Sequence, residues 1–159
     1  MKIICNKPMD DKIVVFGQSC VGKTTFATSV NTHTYYCFDH LFRWHDIETL
    51  GLSIEANLKY IQSVCADPRF VLDGWHLSDK EGFWLPAGAA VYVVYAPYKQ
   101  IISQYRVPVL SEDEHTPMFR RWYCEIDYGT LPGIRYFSNE GDFVERTPEE
   151  FTASLERSR

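Results

Sequence analysis

Gly17-Gln18-Ser19-Cys20-Val21-Gly22-Lys23-Thr24 is the stretch on which the reading of this chain turns. It satisfies the pattern G-x-x-x-x-G-K-[ST] at every position. On its N-terminal side the apolar run Ile13-Val14-Val15-Phe16 stops at Gly17 and predicts a buried strand. On its C-terminal side residues 24–30 predict a helix. Strand, glycine-bracketed loop and helix in that order form a cradle for phosphate: the glycines let successive backbone N–H groups turn inward, and the helix start adds a positive end. Lys23 can bridge the β- and γ-phosphates of a nucleotide, and the Thr24 hydroxyl can ligate Mg²⁺. Gly17, Ser19, Cys20, Val21, Gly22, Lys23, Thr24 and Thr25 are therefore the candidate nucleotide-binding residues.

Working outward, residues 34–38 (Thr-Tyr-Tyr-Cys-Phe) are β-branched and aromatic and predict a strand that ends at Asp39. Ser53 can cap a helix whose apolar positions Ile54, Leu58, Ile61 and Cys65 recur at helical spacing until Asp67-Pro68 stops it. Phe70-Val71-Leu72 predicts a third strand, ended by Asp73-Gly74. Residues 89–95 are almost continuously apolar and predict a central strand. A helix over 97–105 and a polar stretch over 106–115 follow. Thr116-Pro117 then opens a helix with Phe119, Trp122, Tyr123 and Ile126 on one side. A fifth strand is expected over 134–137, and Thr147-Pro148-Glu149-Glu150 has the form of a capping box at the start of a last helix. Strands that alternate with helices and read as unbroken apolar runs indicate a parallel sheet covered on both faces. Ligands of such sheets bind at the C-terminal ends of the strands.

Asp39 and Asp73 stand at two of those ends. Either can hold Mg²⁺, directly or through water, and either can accept the proton of an attacking hydroxyl. Asp73 has the form of the metal-holding acid and Asp39 that of the base, although the two roles are interchangeable on sequence grounds. Each can also do no more than cap a following turn.

Gly17 to Thr25, Phe38-Asp39-His40 and Val71-Leu72-Asp73-Gly74 resemble the nucleoside and nucleotide kinase branch of P-loop proteins. That resemblance covers about residues 13–137. It implies a three-layer α/β fold with a five-stranded parallel sheet of order 2-3-1-4-5; the length of the chain and its lack of a linker-like stretch make one domain spanning 1–159 the expectation. The resemblance also implies ATP with Mg²⁺ and an arginine-bearing lid after the fourth strand, here about 106–121. Arg106, Arg120 and Arg121 become candidates for stabilising the transferred phosphoryl group; Arg121 can instead make a helix pair with Glu125. The chain lacks the longer arginine-studded lid of typical adenylate kinases. The loop Ser138-Asn139-Glu140-Gly141 is the expected neighbour of the adenine.

Asp39-His40-Leu41-Phe42-Arg43-Trp44-His45 and Asp73-Gly74-Trp75-His76 set aromatic rings beside the two carboxylates. A flat apolar surface there suits a nucleobase, because stacking on an aromatic is worth about 1–3 kcal/mol per base. Large aromatics also belong in cores. Gln18-Ser19-Cys20-Val21 and the segment from Phe38 to Trp44 resemble small phage-type P-loop kinases that phosphorylate 5-hydroxymethyluracil in DNA. This implies an acceptor that is a primary alcohol on a base; a small-molecule acceptor is the alternative. His40, His45 and His76 lack the spacing of a metal set.

Composition bounds these readings. The 159 residues are 45% hydrophobic and 23% charged, so the chain is expected to fold around a core of its own. A net charge of −5 argues against broad capture of nucleic acid by a basic surface. Cys5, Cys20, Cys37, Cys65 and Cys124 form no C-x-x-C pair, so buried thiols in a reducing cytoplasm are expected rather than disulfides or zinc. No apolar stretch approaches the roughly 18 residues of a membrane span. A regulatory GTPase would need D-x-x-G where Asp73 is followed directly by Gly74. Asn6-Lys7-Pro8-Met9-Asp10 has one residue too many for N-K-x-D and precedes the loop. An ATPase without acceptor and a nucleotide-holding module without turnover are the remaining rivals.

Overall fold

A computed structural model describes residues 1–17, 21–37, 55–73, 86–97, 99–100 and 134–157. Seven strands join into one sheet: β1 (Ile3–Ile4), β2 (Lys12–Phe16), β3 (Thr34–Cys37), β4 (Phe70–Asp73), β5 (Ala90–Tyr95), β6 (Arg135–Asn139) and β7 (Phe143–Arg146). Among the described residues these strands are accompanied by α1 (Lys23–Ser29), α2 (Glu55–Ala66) and α3 (Pro148–Arg157). The sheet order is β1-β7-β6-β5-β2-β4-β3. β3, β4, β2, β5 and β6 are mutually parallel, β7 runs antiparallel to β6, and β1 is parallel to β7.

Side chains alternate between the two faces of this sheet, as the period of two requires. Val14, Phe16, Phe70, Leu72, Val91, Val93 and Tyr95 pack on one side with Val64 of α2 and Phe151 of α3. Ile13, Val15, Val71, Tyr92, Val94 and Phe137 pack on the other with Phe26 and Ala27 of α1. Helices on both faces explain why the central strands carry no polar alternation and read as apolar runs. The capping box forms: Thr147 N–H donates to Glu150 Oε1 and Glu150 N–H to Thr147 Oγ1, both at 3.1 Å. Among the described residues no helix is long and apolar enough to cross a membrane.

Three expectations are corrected. The sheet is neither five-stranded nor all parallel: the order expected for five strands is continued by β7 and β1 into a mixed sheet of seven. The hairpin signal for β7 is present in Asn139-Glu140-Gly141-Asp142, with Gly141 at φ +100° in a three-residue loop, between two apolar runs. β1 is only two residues long, too short for any periodicity. The buried side of α2 is set by Tyr60 and Val64, whereas Leu58 is 49% exposed and Cys65 lies at the surface. Tyr60 belongs to the inner side because its hydroxyl both donates to Cys37 O and accepts from Cys37 N–H, each at 2.8 Å, while its ring packs. The thiols are also less buried than expected: Cys5 and Cys37 are half-buried and Cys65 is exposed. Cys20, Cys124, Ser53, the lid at about 106–121 and the helices expected over 97–105 and from Thr116 lie outside the described residues, apart from 97, 99 and 100.

Candidate functional site

The phosphate loop leaves the C-terminal end of β2, whose neighbours are β4 on one side and β5 on the other. The chain's crossovers diverge to opposite sides of β2, which makes this end the switch point of the sheet, where ligands of open α/β folds bind. Gly17 enters the loop so close to β5 that a Cβ there would collide with the Val94 carbonyl oxygen. Gly22 closes the loop with φ +94°, a left-handed backbone that side chains disfavour. Its carbonyl accepts the first helical bond of α1, from Phe26 N–H at 2.8 Å. Phe26 fixes the helix on the sheet, its ring centroid 5.0 Å from Phe137 and 5.2 Å from Phe143.

Four side chains, Lys23, Thr24, Asp73 and Tyr35, are brought to this end of the sheet as a result. Lys23 Nζ reaches back across the loop and donates to Gly17 O at 2.7 Å. Thr24 Oγ1 donates to Asp73 Oδ2 at 2.8 Å, joining residues 49 apart in sequence. Asp73 ends β4 with 2% exposure. The Tyr35 hydroxyl, from β3, donates to the same Oδ2 at 3.1 Å. Burial, and then the negative charge of Asp73, push the Tyr35 phenol above its ordinary pKa, so it stays a donor. A hydroxyl and a carboxylate meet here, and such oxygen donors fit Mg²⁺, a hard cation that prefers oxygen.

Of the candidate residues, Gly17, Val21, Gly22, Lys23, Thr24 and Thr25 are brought to one end of the sheet with Asp73. Ser19, Cys20, Asp39, Arg106, Arg120 and Arg121 lie outside the described residues, as do His40, Trp44, His45, Trp75 and His76. Most of the large described aromatics serve packing: Tyr92, Phe16, Phe26, Phe70, Phe137, Phe143 and Phe151 are fully buried. Among the described residues no group of three His, Cys, Asp or Glu side chains could hold a metal ion.

Residues 138–141, expected beside the adenine, form the end of β6 and the turn into β7. Asn139 is completely buried, its Nδ2 donates to Val21 O at 2.9 Å, and its Oδ1 accepts from Gly141 N–H at 3.2 Å. It is a strut under the phosphate loop. Tyr35 and Asn139 are the site residues that sequence reasoning missed. In the sequence the first is only one residue of an aromatic strand, and the second lies in the loop expected beside the adenine.

The opposite end of the sheet holds a different polar cluster. Arg135, 4% exposed, is forked onto Glu145 with bonds of 2.9 and 2.6 Å. Its remaining N–H groups reach Lys7 O, Pro8 O and the Tyr92 hydroxyl at 2.8–3.0 Å. Every donor of the guanidinium is engaged, which is how a buried cation is tolerated.

No protein-family model matches the chain, and no curated protein matches it in sequence. Among solved structures it is similar to the shikimate kinase of Aquifex aeolicus vf5, at 18% identity over 92% of this chain and 96% of that one, with a TM-score of 0.46. It is also similar to a gluconokinase from Sinorhizobium meliloti 1021, at 11% identity over 92% and 90% of the two chains, with a TM-score of 0.48. Likeness of that degree decides nothing about the activity, which has to be argued from this chain's own residues.

Proposed function

We propose that the chain is an ATP-dependent phosphotransferase that moves the γ-phosphoryl group to an acceptor hydroxyl. The observation that carries this reading is the 2.8 Å bond between Thr24 of the phosphate loop and Asp73 at the end of β4, next to Lys23. A glycine-rich turn that matched the loop pattern by accident would have no reason to place a carboxylate there. In the proposed reaction the loop backbone and Lys23 hold the phosphates, Lys23 exchanging the Gly17 carbonyl for phosphate oxygens. Mg²⁺, held by Thr24 and Asp73, would neutralise charge between the β- and γ-phosphates. The acceptor oxygen attacks the γ-phosphorus, the bond to the β,γ-bridging oxygen breaks, and ADP leaves with that electron pair.

Asp73 Oδ2 already accepts hydrogen bonds from two hydroxyls. This supports assigning Asp73 to the metal and Asp39 to the acceptor's proton. Arg106, Arg120 and Arg121 are assigned to the charge on the transferred group. The acceptor proposed is a hydroxyl on a nucleobase or nucleotide, such as the hydroxymethyl group of 5-hydroxymethyluracil in DNA. Its support is the aromatic segments after Asp39 and Asp73 in the sequence, and other small alcohols compete with it.

The test is γ-labelled ATP with the purified chain and a panel of acceptors: nucleosides, nucleoside monophosphates, small alcohols, DNA ends and DNA carrying 5-hydroxymethyluracil. Label is expected on one acceptor class, reduced about a hundredfold or more in Lys23→Ala. Release of free phosphate alone would make the chain an ATPase. Undiminished transfer by Lys23→Ala would end the assignment.

A further inference from the structure

We propose that Tyr35 is a positioning residue for the metal-holding acid, fixing the direction in which the Asp73 carboxylate meets the phosphate loop. The inference rests on the nucleotide-binding reading above and deepens it. A carboxylate turns easily about its last torsion, where the preference is broad and two-fold. One hydrogen bond from Thr24 restrains that rotation, and a second donor arriving from another element restrains it further. The Tyr35 hydroxyl reaches Asp73 Oδ2 at 3.1 Å from β3, and Thr24 reaches the same oxygen at 2.8 Å from α1.

The two donors are not equivalent. Tyr35 is carried by a strand registered to β4 at four successive pairs, Tyr35 opposite Val71 and Cys37 opposite Asp73. The even spacing puts Tyr35 and Asp73 on the same face of the sheet, so the backbone ladder itself fixes the phenol relative to the carboxylate. Thr24 stands at the start of the helix that follows the loop, and its hydroxyl oxygen is the one the cation would recruit. Tyr35 keeps Asp73 in place while that exchange occurs. The ring is 38% exposed, so its hydroxyl can be removed with little disturbance to packing.

A purely architectural tyrosine and a positioning one differ in what Tyr35→Phe changes. ATP is titrated into the full chain by calorimetry, once with saturating Mg²⁺ and once in EDTA, for wild type and variant. The wild-type chain is expected to bind ATP more tightly with Mg²⁺. In the variant the metal-free affinity is expected to stay as it was, while the gain conferred by Mg²⁺ shrinks about tenfold, as for loss of a hydrogen-bond partner behind a metal ligand. An undiminished Mg²⁺ gain in the variant overturns the inference, and so does an equal loss in both conditions, because either result makes the hydroxyl architectural. If the wild-type chain binds ATP in neither condition, the nucleotide reading itself fails and this inference falls with it.

Discussion

Gly22 and Asn139 show how one residue's constraint is another's function. Gly22 holds φ +94°, and a Cβ there would lie 2.9 Å from Asn139 Nδ2. That amide nitrogen is the donor that supports Val21 O. Gly22→Ala therefore carries two costs: about 1–2 kcal/mol for a side chain in a left-handed conformation, and displacement of the strut. Asn139→Ala leaves the Val21 carbonyl and Gly141 N–H without their partner, worth about 1–3 kcal/mol. In the double variant the alanine at 139 makes room for the one at 22. Urea unfolding of the four proteins should give a double-variant loss smaller than the sum by more than about 0.5 kcal/mol. Strict additivity would mean that the two residues do not share the contact. Gly22, Lys23 and Thr24 were legible because their spacing is local, and Asp73 because it ends an apolar run. Asn139 and Tyr35 were not, since their partners lie 118 and 38 residues away and only strand register brings them together.

The same division between local and non-local signals holds for whole elements. The start of α3 was readable because a capping box is a four-residue pattern that satisfies its own orphan N–H groups. The buried side of α2 departs from the apolar spacing because Tyr60 turns inward, its hydroxyl satisfied by Cys37. β7 was missed because the resemblance to nucleotide kinases claimed its turn for the adenine. α3 matters to the sheet through Phe151, stacked on Tyr136 at 4.5 Å and edge-on to Tyr95 at 5.0 Å. Its first turn depends on the Thr147 hydroxyl. Thr147→Ala is expected to lower stability by about 0.5–2 kcal/mol, and Thr147→Ser to restore most of it, in urea unfolding. A silent Thr147→Ala would show that the cap is redundant. The exposed pairs of Arg146 with Glu140 and Glu150 are screened by solvent and add little.

At the scale of the whole sheet, the end opposite the site carries a buried polar lock. Arg135 ties the carbonyls of Lys7 and Pro8, just before β2, to Tyr92 on β5 and Glu145 on β7. Glu145 in turn accepts from Asn6 N–H at 2.9 Å, so the N-terminal arm is stitched to the C-terminal hairpin. The pair is 4% and 8% exposed, and removing one partner strands a buried charge. Arg135→Met should therefore cost about 3–5 kcal/mol, and Arg135→Met with Glu145→Leu should recover part of that loss. Burial alone would raise the Glu145 pKa, but the Arg135 hydrogen bonds, the Asn6 N–H and the Arg135 charge outweigh it and hold the carboxyl below its ordinary value. A carboxyl with a lowered folded-state pKa stabilises the fold fully above its unfolded-state value of 4.5. That contribution is lost as pH falls from there through the folded-state pKa. The urea midpoint of wild type should thus drop on acidification below about pH 4.5, and drop less steeply in the double variant, which has no carboxylate at 145 to protonate. Identical acid limbs in the two proteins would remove Glu145 from the account and leave the arm held by the backbone bonds of β1 to β7.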